Sequence, residues 1–278
     1  MYSKYVLLYL IKILNYYEEG LVIIIEYYLN TYLFQKKIGK TELKNAVDVW
    51  CKSRNKGLNN YGEINYWIVS NITDMSELFQ TKIEFNDKLD RWNVLNVTNM
   101  SYMFDGAKTF NQPLNNWDTS NVTDMSAMFS YTELFNQPLN NWDTSNVTNM
   151  HCMFHKAYQF NQYIGSWNVS NVTNMSYMFA STLKFNQYIG SWNVSNVTNM
   201  GFMFLASFYY NQTLENWDVS NVTQMRWMFA NTMNFNQCLT NWNIKNVNDI
   251  CAIFYGGKGF NQPETINHFQ KYTTDQII

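Results

Sequence analysis

Tryptophan recurs at a constant interval of 25 residues through most of this 278-residue chain. Counting each of these tryptophans as position 0, position 4 is always Asn, position 12 always Phe and position 19 always Asn. No insertion interrupts the count. Repetition at a fixed period of this length predicts a stack of copies of one supersecondary unit, none of which is stable alone. The eight tryptophans are Trp67, Trp92, Trp117, Trp142, Trp167, Trp192, Trp217 and Trp242.

The apolar residues inside each unit follow a helical spacing. In the fourth unit, the residues at positions 8, 11, 12 and 15 are Met150, Met153, Phe154 and Ala157. This i, i+3, i+4, i+7 pattern predicts a short helix with one buried face, whose first amides Thr148 or Ser145 is placed to cap. The next residues alternate with period 2 and predict a short strand. We therefore expect an α/β repeat solenoid of the leucine-rich-repeat type, with about eight coils and a helical N-terminal cap.

The unit also resembles a known repeat family. Its pattern W-[DN]-[TV]-S-N-V-T-[ND]-M-S-x-M-F, followed five residues later by F-N-Q, is similar to the BspA-like surface-protein repeat of mycoplasma lipoproteins. The resemblance covers residues 43–262, and segment 46–67 resembles the helical cap that often precedes such arrays. It implies a leucine-rich-repeat-like fold, adhesion or protein binding, and no catalytic residues. Such arrays also occur in protists and giant DNA viruses, and the abundant Asn, Ile and Tyr are typical of an AT-rich genome.

Four segments follow from the pattern. We expect an apolar helical segment at residues 1–40, a helical cap at 41–66, the eight repeats at 67–262 and a C-terminal cap or tail at 263–278. Residues 1–34 fit two amphipathic helices over the first coil, a secretion signal or a membrane-surface helix. Interrupting charges argue against a membrane-spanning segment, and no lipobox cysteine is present near the start. These charges are Lys12, Glu18, Glu19 and Glu26.

Composition and motifs exclude several functional classes. A net charge of −2 provides no basic surface for nucleic acid. His151 and His155 have an i, i+4 spacing, but the glutamate of a metalloprotease helix is missing, and the four cysteines show no zinc-type spacing. We expect no catalytic residues, metal or cofactor, and a monomer rather than an enzyme. The cysteine pattern favours a soluble intracellular protein over a secreted or surface protein.

The repeated columns are assigned to the scaffold. An amide side chain at a sharp turn satisfies one donor and one acceptor, and the same Asn in the next unit extends a ladder along the stack. Ligand binding by the Asn column and glycosylation of its N-x-T motifs are the alternatives. The residues assigned to the scaffold are Trp117, Trp142, Trp167, Asn121, Asn146, Asn171, Phe129, Phe154 and Phe179.

Aromatic residues at two variable positions are the candidate binding residues. Position 10 lies opposite the apolar stripe and carries Tyr177, Phe202 and Trp227 in consecutive units, while position 21 carries Tyr163 and Tyr188. Adjacent exposed aromatics mark interaction surfaces; the alternative is that they pack on each other between units. The sequence predicts a non-catalytic scaffold that binds another, unidentified protein. A purely structural or adhesive surface protein is the alternative, and an enzyme is the remote one.

Overall fold

The computed structural model describes residues 39–273 and 276–278. Helices α1 (Lys40–Lys52) and α2 (Arg54–Tyr61) and a short 3-10 helix (Ile64–Tyr66) precede the repeats, and α3 (Pro263–Gln270) follows them. The helices and signals considered for residues 1–34 lie outside the described residues. Within the described part, none of the helices has the length and apolar character needed to cross a membrane.

The predicted α/β leucine-rich-repeat-like solenoid is wrong. In the described residues, the repeats contain neither a helix nor a strand, and the helices lie only before and after them. Each unit is a succession of turns. Consecutive units are joined by isolated parallel bridges between their residues at position 7, from Asp74–Asn99 to Gln224–Asp249.

Left-handed backbone at position 10 explains the missing helix. All eight residues there have φ between 51° and 61°, and a right-handed helix cannot continue through such a residue. Position 14 is left-handed in every unit as well. Two consecutive turns result, which the amide of Met153 closes on the carbonyl of Met150 and that of Ala157 on that of Phe154, at 3.2 and 3.0 Å. Each turn has its left-handed residue third, as in a type II turn.

Backbone hydrogen bonds between units run in one direction along positions 7 to 14. The N–H groups at positions 8, 10, 12 and 14 donate to the carbonyls at positions 7, 9, 11 and 13 of the next unit. Between the fourth and fifth units, the donor–acceptor pairs are Met150–Asn174, Cys152–Ser176, Phe154–Met178 and Lys156–Ala180, at 2.9 to 3.0 Å. The same four bonds recur at every junction from the first unit to the eighth. This ladder, together with the buried columns, holds the units in register.

The core consists of stacked aromatic columns. Rings at positions 12 and 18 of one unit stack with centroids 4.0 to 4.2 Å apart, as in Phe154 and Phe160. Each ring at position 12 also stacks on the next unit's, and Trp142 stacks on Trp167 at 6.4 Å. The scaffold candidates at these positions are buried: Trp117, Trp142, Trp167, Phe129, Phe154 and Phe179.

Two asparagine columns connect neighbouring units through their side chains. At position 4, the Nδ2 groups of Asn121, Asn146 and Asn171 donate to the position-3 carbonyl of the preceding unit at 2.7 to 2.8 Å. These amides are exposed rather than buried. At position 19, Asn111 Oδ1 accepts the backbone N–H of Asn136 in the next unit at 2.9 Å. The asparagine ladders thus satisfy backbone groups that the turns leave unpaired.

Both ends of the array are covered. At the first unit, the buried Trp50 of α1 meets Trp67 edge to face at 5.8 Å, and Lys40 and Lys44 pair with Asp74 and Glu77. At the last unit, the buried Phe269 of α3 lies 5.5 Å from Phe254 and 6.4 Å from Trp242, between ring centroids.

Candidate functional site

Six aromatic side chains form a continuous line across the third to eighth units, which we call the aromatic row. Consecutive ring centroids are separated by 5.2, 5.9, 4.4, 6.4 and 5.4 Å. The row contains the three candidates predicted at position 10 and extends beyond them in both directions. Its members, in order, are Tyr131, His155, Tyr177, Phe202, Trp227 and Tyr255.

The left-handed backbone at position 10 repeats identically in each unit, so the side chains of consecutive units lie beside one another. In the third and fourth units this position holds the smaller Ala127 and Cys152. There Tyr131, at position 14, and His155, at position 13, continue the row instead. Positions 10, 13 and 14 therefore contribute to one surface.

The middle of the row presents ring edges rather than ring faces. Phe202 stacks on Tyr177 with an angle of 9° between the ring planes and on Trp227 with an angle of 16°. All three are half-buried, and the terminal members Tyr131 and Tyr255 are more exposed. Because ring edges carry partial positive charge, this surface is suited to contacts with carbonyl and carboxylate oxygens as well as with apolar groups.

Two cations lie beside the row. Lys156 Nζ lies 4.4 Å from the centroid of the Tyr131 ring and donates to its hydroxyl at 3.0 Å. The guanidinium carbon of Arg226 lies 5.7 Å from the centroid of Phe202. These cation–π contacts fix the rings at two points and add positive charge to the surface.

Burial keeps the histidines near the row neutral. Desolvation lowers the pKa of His155 to about 4, and the neighbouring charges of Lys156 and His151 lower it further. Burial also lowers the pKa of His151. Cys152 Sγ lies 3.2 Å from His151 Nε2, but burial raises the pKa of this thiol to about 12. The thiol is therefore protonated, and the pair lacks the thiolate that nucleophilic catalysis requires.

Metal ligation finds no support among the described residues. They contain no group of three or more His, Cys, Asp or Glu side chains arranged to hold a metal ion. His151 Nδ1 lies instead 2.7 Å from Ser176 Oγ, and His155 packs between Tyr131 and Tyr177. The histidine spacing seen in the sequence thus serves side-chain packing.

The second pair of candidates, Tyr163 and Tyr188, lies in a separate column. These side chains are 52% and 40% exposed. Each ring lies against a glycine two residues further on: a Cβ built at Gly165 would be 2.8 Å from Tyr163 Cε2, and one at Gly190 would be 2.7 Å from Tyr188 Cε2. The ring contacts of the described residues do not join this pair to the aromatic row.

Sequence reasoning missed half of the row and a further exposed apolar group. Tyr131, His155 and Tyr255 were not recognised, although positions 10, 13 and 14 have the i, i+3, i+4 spacing of one helix face. The exposed apolar residues at positions 16 and 17 were missed because their column alternates with charged residues such as Lys108 and Glu133. These exposed residues are Ile83, Leu134, Phe208 and Tyr209.

A cleft of about 640 Å³ lies between α1 and the first unit. Its cations are paired, Arg54 with Asp87 and Lys82 with Asp48. Burial raises the pKa of Cys51 in its wall to about 11. The cleft therefore contains no activated nucleophile.

These features define the class of the molecule: a tandem-repeat protein whose units share an aromatic core and a backbone ladder. The family model described as "Mycoplasma protein of unknown function, DUF285" matches residues 41–164, 133–225 and 184–276. The overlapping matches span the repeats and the segments on both sides, so the chain belongs to this family. The predicted mycoplasma-type repeat is thereby confirmed. No curated protein and no solved structure matches the chain.

Proposed function

We propose that this protein is a non-catalytic, monomeric scaffold of the BspA-like kind and that it binds another protein through the aromatic row. The observation that carries the proposal is the continuity of six rings across the third to eighth units, on a surface where the scaffold does not require aromatic residues. At position 10, residues as different as Glu77, Ala127 and Trp227 donate the same backbone hydrogen bond to the next unit. The aromatic side chains therefore serve something other than the ladder.

The geometry suits recognition of a protein surface. Aromatic side chains supply much of the hot-spot energy in protein interfaces. Stacking already restricts Tyr177, Phe202 and Trp227 in the free protein, so a partner does not have to immobilise them. The nearby Arg226 adds a donor for polar groups at the edge of the contact.

A structural or adhesive surface role is the second candidate, and the stacking itself favours it. Each aromatic pair contributes about 0.5 to 1.5 kcal/mol beyond burial of its area. In this case the row stabilises the array and has no specific partner.

A triple variant separates these two functions. Tyr177→Ser, Phe202→Ser and Trp227→Ser are combined in one chain, and the matched control combines Tyr163→Ser with Tyr188→Ser. Each chain is used for affinity capture from the native source, and circular dichroism monitors folding. Binding through the row predicts a folded triple variant that loses the principal partner, while the control retains it. Unchanged capture by the folded triple variant rejects the row as the binding surface, and loss of folding favours the structural role.

A further inference from the structure

The last unit has no following unit to accept its backbone N–H groups. In every earlier unit, the N–H groups at positions 8, 10, 12 and 14 donate to the next unit. In the eighth unit these positions are Ile250, Ala252, Phe254 and Gly256, and we call their N–H groups the terminal edge. Because the ladder is directional, the terminal edge presents donors along this segment, whereas the edge of an ordinary strand presents both donors and acceptors.

The final residues of the chain occupy the centre of this edge. The N–H of Ala252 donates to the carbonyl of Gln276 at 2.6 Å, and the N–H of Phe254 donates to the carbonyl of Ile277 at 2.8 Å. The Ile277 side chain is 2% exposed, whereas that of Ile278 is 51% exposed. Residues 276–278, the tail, thus bind through two carbonyls and one buried aliphatic side chain.

The tail imitates the next unit of the array. Trp227 donates to the carbonyl of Cys251, 24 residues further along the chain, and Ala252 donates to Gln276, again 24 residues further. The match ends there, because Phe254 uses Ile277, one residue earlier than the register requires. An inner junction has four such bonds where the tail makes two. The tail is therefore the least strongly held part of the ladder and opens at lower cost than an inner junction.

We propose that the terminal edge is a peptide-binding site that the chain's own tail occupies. Its ligand is an extended carboxy-terminal peptide with a branched aliphatic residue next to the last residue. Main-chain carbonyls of the peptide accept from Ala252 and Phe254, and the aliphatic side chain fills the place of Ile277, as in strand addition to an open edge. Aligned N–H groups also favour a nearby carboxylate.

The first unit of a second copy does not fit this site. Its outer side is covered by α1, which Lys40 and Lys44 fasten to Asp74 and Glu77. End-to-end stacking of two arrays would require α1 to leave. A short extended peptide meets no such obstacle.

The test uses the full chain and a synthetic peptide of sequence TTDQII, which corresponds to residues 273–278. Ile277→Asp places a charge in the buried site and releases the tail, whereas Ile278→Asp adds the same charge at an exposed position. We expect Ile277→Asp to bind the peptide at least tenfold more tightly than the unmodified chain and Ile278→Asp, since occupancy by the tail lowers the apparent affinity. Replacing the first isoleucine of the peptide by Asp should abolish binding.

Hydrogen exchange provides the second measurement. The amides of Ala252 and Phe254 should exchange faster in Ile277→Asp and should regain protection when the peptide is added. The milder Ile277→Ala variant should show the same changes with smaller size. The proposal is overturned if the exposed edge binds no peptide, or if both variants unfold the array, because the tail is then an integral part of the fold.

Discussion

The indole N–H of Trp142 donates to the carbonyl oxygen of Leu114, 28 residues earlier, at 2.9 Å. The equivalent bond recurs from Trp92 to Trp242 at 2.8 to 3.2 Å. Each of these tryptophans thus fills the core of its unit and satisfies a buried carbonyl of the preceding one. An apolar ring of similar size can replace only the first of these two roles.

Substitution of Trp142 should separate its two roles. Trp142→Ala empties a buried position in the middle of the array and should destabilise the protein by about 3 to 5 kcal/mol. Trp142→Phe retains a ring but leaves the Leu114 carbonyl unpaired, at a cost of about 1 to 3 kcal/mol. Urea denaturation measures both values. The half-buried Trp227 is the control, and a loss from Trp227→Ala equal to that from Trp142→Ala would contradict this assignment.

Tyr210 carries a buried hydroxyl that has no hydrogen-bond partner among the described residues. Its ring occupies position 18 in the column of Phe185 and Phe235 and stacks on both. Removing an unsatisfied buried hydroxyl avoids its desolvation cost, so Tyr210→Phe should stabilise the protein by about 1 kcal/mol. Phe185→Tyr is the matched reverse change and should destabilise. The midpoint of thermal unfolding reports both, and a fall for Tyr210→Phe would indicate that the hydroxyl has a partner.

Left-handed backbone at position 14 predicts a stabilising glycine. Thr81 is exposed, β-branched and has φ of 59°, a conformation that costs L-residues about 1 to 2 kcal/mol. Thr81→Gly should therefore raise the free energy of unfolding by about 1 kcal/mol. In the next unit, Gly106 occupies the same position with φ of 73°, and a Cβ there would meet its nearest atom at 3.5 Å. Gly106→Thr should lower stability through its backbone alone, and opposite signs for the two variants are the expected result.

His155 makes stability depend on pH. Its pKa is about 4 in the folded protein, because burial disfavours the cation, and 6.5 is its ordinary value. The unfolded chain therefore binds more protons between these values, so stability is complete above about pH 6.5 and falls as the pH decreases towards 4. The loss should be on the order of 2 kcal/mol. His155→Phe keeps a ring between Tyr131 and Tyr177 and should flatten the profile measured by urea denaturation; an unchanged slope would assign it to other groups.

The sequence predicts the period of the array and the burial of its columns because side-chain repetition reports directly on shared packing. It does not predict the local backbone. The residues at positions 8, 11, 12 and 15 have a helical spacing, yet two successive turns bury the same four residues. The left-handed positions between them give little signal, since Gly106 and Gly256 are the glycines found there and the other units use residues such as Tyr131 and Lys156.

The aromatic row was predicted in part. Tyr177, Phe202 and Trp227 share one repeated position, so the period alone aligns them. The extension through Tyr131 and His155 depends on how the turns place positions 10, 13 and 14 relative to one another, and a helical interpretation of this segment was wrong. Whether the row binds a partner depends on chemistry that repetition does not encode.

The directional ladder gives the molecule an electrical polarity. Four peptide groups at each of seven junctions point the same way along the array, and each peptide unit has a dipole of about 3.5 D. Oppositely directed bonds, such as Thr148 to Thr123, cancel part of this sum. The first unit is the negative end of this segment, where Lys40 and Lys44 already lie, and the last unit is the positive end, where the chain terminates. An array with more units would carry a larger dipole, so its two ends would attract opposite charges more strongly as the number of repeats increased.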